Sequence, residues 1–135
     1  MRAVFADTFY FLALLNRRDA VHARAIAFSR VPGLRFVTTD YVLLELADAF
    51  HKPPLRAEFL ALHELLHRER TFRVVPGQRN LLLRGIQYFK KRPDKDWQLT
   101  DCLSFVVMED EGIREALTGD HHFEQAGFNA LLKHD

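Results

Sequence analysis

Short apolar runs alternate along the chain with longer stretches whose apolar positions recur at helical spacing. Ala3 to Ala6 (AVFA) is a brief apolar run that stops at Asp7 and predicts a buried strand. Phe9 to Leu15 (FYFLALL) is long and apolar enough for a buried helix. Asp19 to Ser29 sets Val21, Ala25 and Phe28 on one helical face, with Asp19 as the expected N-cap. Pro32 and Gly33 mark a turn, and Leu34 to Thr38 alternates as a strand does. Asp40 to Phe50 reads as a helix carrying Glu45. Pro53 and Pro54 are expected to break the chain, and Leu55 to Arg70 to form an amphipathic helix. Thr71 to Val75 is a strand closed by Pro76 and Gly77. Asn80 to Lys91 is helical, and Pro93 to Gln98 is a polar loop. Thr100 is placed to cap a strongly apolar helix that ends near Gly112. Ala116 to Thr118 is a last short strand, followed by GDHHF and a small tail.

Strands separated by helices argue for an α/β fold with a mostly parallel sheet. No repeat, low-complexity segment or linker interrupts the pattern, so a single domain over residues 1–135 is expected. An apolar content of 48% is enough for a packed core. A formal net charge of +1 excludes a globally basic nucleic-acid or membrane-surface binder and leaves that work to local patches. Cys102 is the only cysteine, which rules out an internal disulfide and a cysteine-rich metal site. A free thiol without a secretory signal suits the cytoplasm. No apolar run approaches the ~20 residues of a membrane helix, so no membrane partner is expected.

In an open parallel sheet, ligands bind beyond the carboxyl ends of the strands. Asp7 follows the first strand, and Glu45 lies on the helix after the second. Asp101 falls in the first turn of the apolar helix, and Asp120 follows the last strand. Singly, an Asp after a strand is most often a helix cap or a turn former. Four acids on one edge are another matter: gathered carboxylates repel and need a cation. An all-oxygen set suits Mg2+ or Mn2+, which can activate water and neutralise charge on a phosphodiester.

A competing signature is HELLH, residues 63 to 67, which fits the zinc-hydrolase pattern H-E-x-x-H. A metzincin-style continuation would require Gly at position 70 and His at 73, where the chain has Arg70 and Arg73. The stretch reads better as one side of an amphipathic helix, with His63 and His67 flanking a stripe of Leu62, Leu65 and Leu66.

The segments FADTFYFLALLNRRDAVH, TTDYVLLELADAF, DKDWQLTDCLSFVVMEDEGI and ALTGDHHFEQAGF resemble the PIN-domain nucleases, most of all the VapC-type toxins of bacterial toxin–antitoxin pairs. The resemblance runs from Arg2 to about Leu132. It implies a three-layer α/β/α sandwich and a metal-dependent endoribonuclease. Matched to the family pattern, Asp7, Glu45, Asp101 and Asp120 are the acidic set. Asp7 and Asp101 are the expected direct ligands, Glu45 a ligand or a holder of metal-bound water, and Asp120 more peripheral. Thr8 matches the small hydroxyl beside the first Asp, and Asp96 is a candidate fifth acid. A homodimer and an inhibiting antitoxin are implied as well. Similar domains also occur outside toxin pairs, so an RNA-processing or RNA-binding protein without an antitoxin is the alternative.

The basic runs Lys90, Lys91, Arg92, Lys95 and Arg17, Arg18 are candidate RNA contacts, since an acidic site acting on polyanions needs cations nearby. Each run also reads as a solvated helix end. Trp97 could stack on a base, but covering the edge of the core is the preferred reading. Cys102 is expected to be buried and inert. His121 and His122 are open between phosphate binding, proton transfer and surface or capping roles.

Overall fold

The computed structural model describes residues 2–133. A five-stranded sheet has the order β3-β2-β1-β4-β5, and every pairing is parallel. The strands are β1 (Ala3–Ala6), β2 (Arg35–Thr39), β3 (Phe72–Val75), β4 (Glu115–Leu117) and β5 (Asn129–Ala130). The helices are α1 (Thr8–Leu15), α2 (His22–Ser29), α3 (Asp40–Ala49), α4 (Pro53–Arg68), α5 (Arg79–Lys91), α6 (Leu99–Glu111) and α7 (His121–Gln125). From β1 the chain first steps outward to β2 and β3, then crosses back to β4 and β5 on the other side. With right-handed crossovers, that reversal carries α1 to α4 over one face and α5 to α7 over the other. The result is the expected α/β/α sandwich. Helix contacts follow the same division: α1 packs on α2 and α3, α3 on α4, α5 on α6, and α6 on α7. The contact between α3 and α6 joins the two groups, and these are the helices that carry Glu45 and Asp101.

The core fills both faces of the sheet. Val4, Phe5 and Ala6 are fully buried, as expected for a central parallel strand. Phe5, Phe105, Phe123, Phe128 and Trp97 form one aromatic cluster, with Phe105 against Phe123 at 5.0 Å and against Trp97 at 5.1 Å between ring centres. Trp97 therefore covers the core edge, only 5% exposed.

Several expected boundaries move, each for a local reason. α2 starts at His22 rather than Asp19, because the Asp19 carboxylate accepts the Val21 N–H at 2.9 Å and closes a turn ahead of the helix. Pro53 and Pro54 do not break the chain but open α4, where a missing N–H costs nothing. The cap of α6 is Gln98, not Thr100. The Gln98 side chain takes the backbone N–H of Asp101, and the Asp101 side chain takes that of Gln98. β5 is a two-residue strand beside β4, too short to leave a periodic signal. Gly112 ends α6 in the left-handed region at φ 68°, as the sequence suggests.

Candidate active site

The strand order reverses between β1 and β4, the switch point at which an open parallel sheet presents a ligand crevice beyond the carboxyl ends of its strands. Pairing of Ala6 with Leu117 sets the register, so the next residues along, Asp7 and Thr118, also fall side by side. The Thr118 hydroxyl donates to Asp7 Oδ2 at 2.8 Å and accepts the Asp120 N–H at 3.1 Å. Gly119 between them runs tight against its surroundings: a Cβ there would lie 2.5 Å from Phe9 Cζ and 3.0 Å from the Leu132 carbonyl oxygen. Asp120 then caps α7, its Oδ1 accepting the His122 N–H at 2.9 Å. Phe123, fully buried, pins this short helix to the aromatic core.

Asp101 reaches the crevice from the other side, in the first turn of α6. Its Oδ2 accepts the Gln98 N–H at 3.0 Å and His122 Nδ1, carrying the proton, at 3.0 Å. The same His122 nitrogen lies 3.4 Å from Asp120 Oδ1. A continuous chain of contacts thus runs Asp7, Thr118, Asp120, His122, Asp101. Among the described residues, the second oxygen of Asp101 and of Asp120 accepts no hydrogen bond.

Burial pushes the Asp7 carboxyl up to about 7. The charges of Asp101 and Glu45 push the same way, against hydrogen bonds from Thr118 and the Thr8 backbone. Burial also raises Asp101, as does the charge of Asp120, while bonds from the Gln98 backbone and His122 oppose the shift. No Lys or Arg side chain forms an ion pair with Asp7, Asp101 or Asp120 among the described residues; the nitrogens beside the last two belong to His122 and, for Asp120, also to His121 at 3.6 Å. The Thr8 hydroxyl oxygen is buried and has no hydrogen-bond partner. Buried carboxylates held above their ordinary range, beside an unpaired hydroxyl, fit a hard divalent cation. Asp120, His121 and His122 offer ligand atoms within 4.8 Å of one another.

The structure brings together Asp7, Asp101 and Asp120 and sets Glu45 within electrostatic reach of Asp7. Asp96 is exposed and lines a separate groove with Lys90, Arg92 and Lys95. Arg17 and Arg18 are exposed in the turn before α2. Cys102 is fully buried, and burial with the neighbouring Asp101 charge pushes its thiol up to about 11, which leaves it inert at neutral pH. Sequence reasoning gave Thr118 no role and left that of His122 open. The signal for both was the segment T-G-D-H-H-F, in which polar residues on either side of Asp120 precede a core Phe.

HELLH lies on α4, away from this cluster. The His63 ring packs on Phe59, and His67 Nδ1 bonds the His63 carbonyl at 2.9 Å. Leu62 and Leu66 are buried, and with Leu65 they wall an apolar cavity of about 740 Å3 that contains none of the acids of the crevice. The stretch is the side of an amphipathic helix.

The PIN domain profile matches residues 4–129, and the chain belongs to the PIN domain family. Among curated proteins it is similar to VapC20 of Mycobacterium tuberculosis, a 23S rRNA-specific endonuclease. The two are 26% identical over 132 residues, covering 93% of this chain and 95% of the relative. The crystal structure of VapC20, described as a sarcin-ricin loop cleaving toxin, superposes with a TM-score of 0.82 at 25% identity, covering 93% of this chain and 95% of that one. The fold also matches VapBC2 of Rickettsia felis bound to a promoter DNA fragment (TM-score 0.68, 9% identity, 95% and 96% covered). FitAcB of Neisseria gonorrhoeae matches with a TM-score of 0.63 at 16% identity, covering 94% of each chain. The chain is thus a PIN domain, similar over nearly its whole length to a VapC protein. Among the described residues no helix is long and apolar enough to cross a membrane.

Proposed function

We propose that this protein is a Mg2+- or Mn2+-dependent endoribonuclease, the toxin of a toxin–antitoxin pair, acting in the cytoplasm as a single PIN domain and as a homodimer. The observation that carries the reading is a buried carboxylate cluster at the switch point, with Asp7 held near 7 and no Lys or Arg paired to it among the described residues. Similarity to an rRNA-specific endonuclease over nearly the whole chain supports the same chemistry and makes ribosomal RNA a candidate substrate.

Asp7 and Asp101, with Glu45 and Asp120, are the residues that would hold the cation. Bound there, it would lower the pKa of a water and offset charge on the phosphodiester. The chain's own contribution is positioning. Thr118 fixes one oxygen of Asp7, while Gln98 and His122 fix one oxygen of Asp101, so each carboxylate arrives oriented. Sheet register and the aromatic core under α7 hold these groups in place before any ligand arrives.

Metal replacement tests the proposal. Chelator-stripped protein should cleave no RNA, and Mg2+ or Mn2+ should restore cleavage. Activity restored by Zn2+ alone would argue for a different site.

A further inference from the structure

The C-terminal turn of α5 and the loop 92–98 enclose a groove of about 630 Å3. Phe89 forms one wall with 48% of its surface exposed, and the buried edge of Trp97 forms another. Leu83, Ile86 and Phe89 follow one another at helical spacing along the outer side of α5, all partly exposed. An outward stripe of this kind fits either a second copy of the chain or a stacked base.

Charge decides between them. The groove presents Lys90, Arg92 and Lys95 against one acid, Asp96. Arg92 is already committed, paired with Asp94 at 3.0 Å through both Nε and Nη2, its guanidinium 5.5 Å from the Trp97 ring centre. Among the described residues, Lys90 and Lys95 form no ion pair. Two lysines without an ion pair, set against the single carboxylate of Asp96 and beside an exposed aromatic ring, match a polyanion that carries flat apolar groups.

We propose that this groove holds a nucleotide of single-stranded RNA flanking the cleaved bond, its base stacked on Phe89 and the adjoining phosphates on Lys90 and Lys95. The groove is tied to the acid cluster through one short loop. Trp97 Nε1–H donates to Gln125 of α7 at 3.0 Å, and the next residue, Gln98, donates its N–H to Asp101. A strand seated on Phe89 of α5 and on Lys95 therefore contacts the same loop that positions a candidate metal ligand. The inference rests on the ribonuclease reading and adds where the substrate lies.

The test is binding of a short fluorescein-labelled single-stranded RNA by the full chain in chelator, where no cleavage occurs. Phe89→Ala should weaken binding about ten-fold, the range of one lost base stack, and Phe89→Tyr should retain wild-type affinity. Replacing Lys90 and Lys95 together by Gln should lower the salt slope by about 1.4, two phosphate contacts to a single strand. Emission from Trp97, the only tryptophan, should change on RNA addition. Wild-type affinity in Phe89→Ala, with wild-type protein still cleaving RNA in metal, overturns the groove and leaves the nuclease reading standing. Loss of dimer in Phe89→Ala at unchanged RNA affinity assigns the stripe to a second copy and overturns it too. A wild-type protein that neither binds nor cleaves RNA removes the nuclease reading and the groove with it.

Discussion

At the scale of single residues, the site is organised by side chains that touch carboxylates without being acids. Thr118 donates to Asp7 and accepts from the Asp120 backbone, so one hydroxyl orients two acids. Thr118→Val keeps the shape and removes both bonds. It should weaken Mg2+ or Mn2+ binding about ten-fold or more, read by titration calorimetry, while the protein stays folded. His122→Ala should weaken metal binding in the same way by releasing Asp101 and Asp120, and His122→Asn, which keeps a donor, should recover part of the loss. Asp7 supplies a pH signature. In the folded protein its carboxyl keeps a proton up to about 7, whereas in the unfolded chain it is released near the ordinary value of 3.8. Between these values the folded state binds more protons, so stability falls as pH rises from about 4 to about 7 and levels off above. Thermal unfolding in chelator should show that decline in the wild type. Asp7→Asn should flatten most of it, leaving the part that comes from the raised Asp101 carboxyl, and should have the higher Tm at pH 8. A flat wild-type profile would show that Asp7 is not buried as described. Asp7 and Asp120 could be read from the sequence because they follow strands, and Glu45 and Asp101 because they lie on helices matched by the family resemblance. His122 was harder, since only the fold shows that its ring lies between Asp101 and Asp120.

At the scale of elements, the apolar pattern located α1 to α6 and the four longer strands but misjudged several of their ends, and it missed α7, whose five residues are too few to show a helical period. Local hydrogen bonding set those ends. Asp19 closes a turn instead of capping α2, Gln98 replaces Thr100 as the cap of α6, and Pro53 and Pro54 start the helix that they were expected to precede. The α6 cap has a functional consequence, because the Asp101 oxygen that takes the Gln98 N–H belongs to a candidate metal ligand. A residue that caps a helix and holds a metal cannot be assigned one role from sequence alone. The packing of α5 on α6 depends on Gly85, where a Cβ would lie 2.4 Å from Leu103 Cδ2 and 2.8 Å from its Cγ. Gly85→Ala should destabilise the protein by about 1–3 kcal/mol through overpacking, despite the higher helix propensity of Ala. Chemical denaturation measures this directly; an increase in stability would mean that Leu103 can move aside.

At the scale of the molecule, function depends on topology. Asp7 and Asp120 are more than a hundred residues apart and meet because β1 and β4 are neighbours at the point where the sheet reverses direction. HELLH drew attention because its residues are adjacent in sequence, yet its helix serves to wall an apolar cavity. The parallel sheet could be anticipated from alternating elements. The strand order could not be derived that way, because the alternation is compatible with several orders. If the acids hold a divalent ion in the folded state only, Mg2+ or Mn2+ should raise the Tm of the wild type, more at pH 8 than at pH 5, because the ion competes with the proton on Asp7. The most direct test of the central claim is cleavage mapping on ribosomal and total cellular RNA with wild type and Asp7→Asn, each in chelator and in Mg2+ or Mn2+. The account predicts defined cuts by the wild type in metal alone, and none by folded Asp7→Asn under either condition. Undiminished cleavage by Asp7→Asn, or by the wild type in chelator, would contradict it.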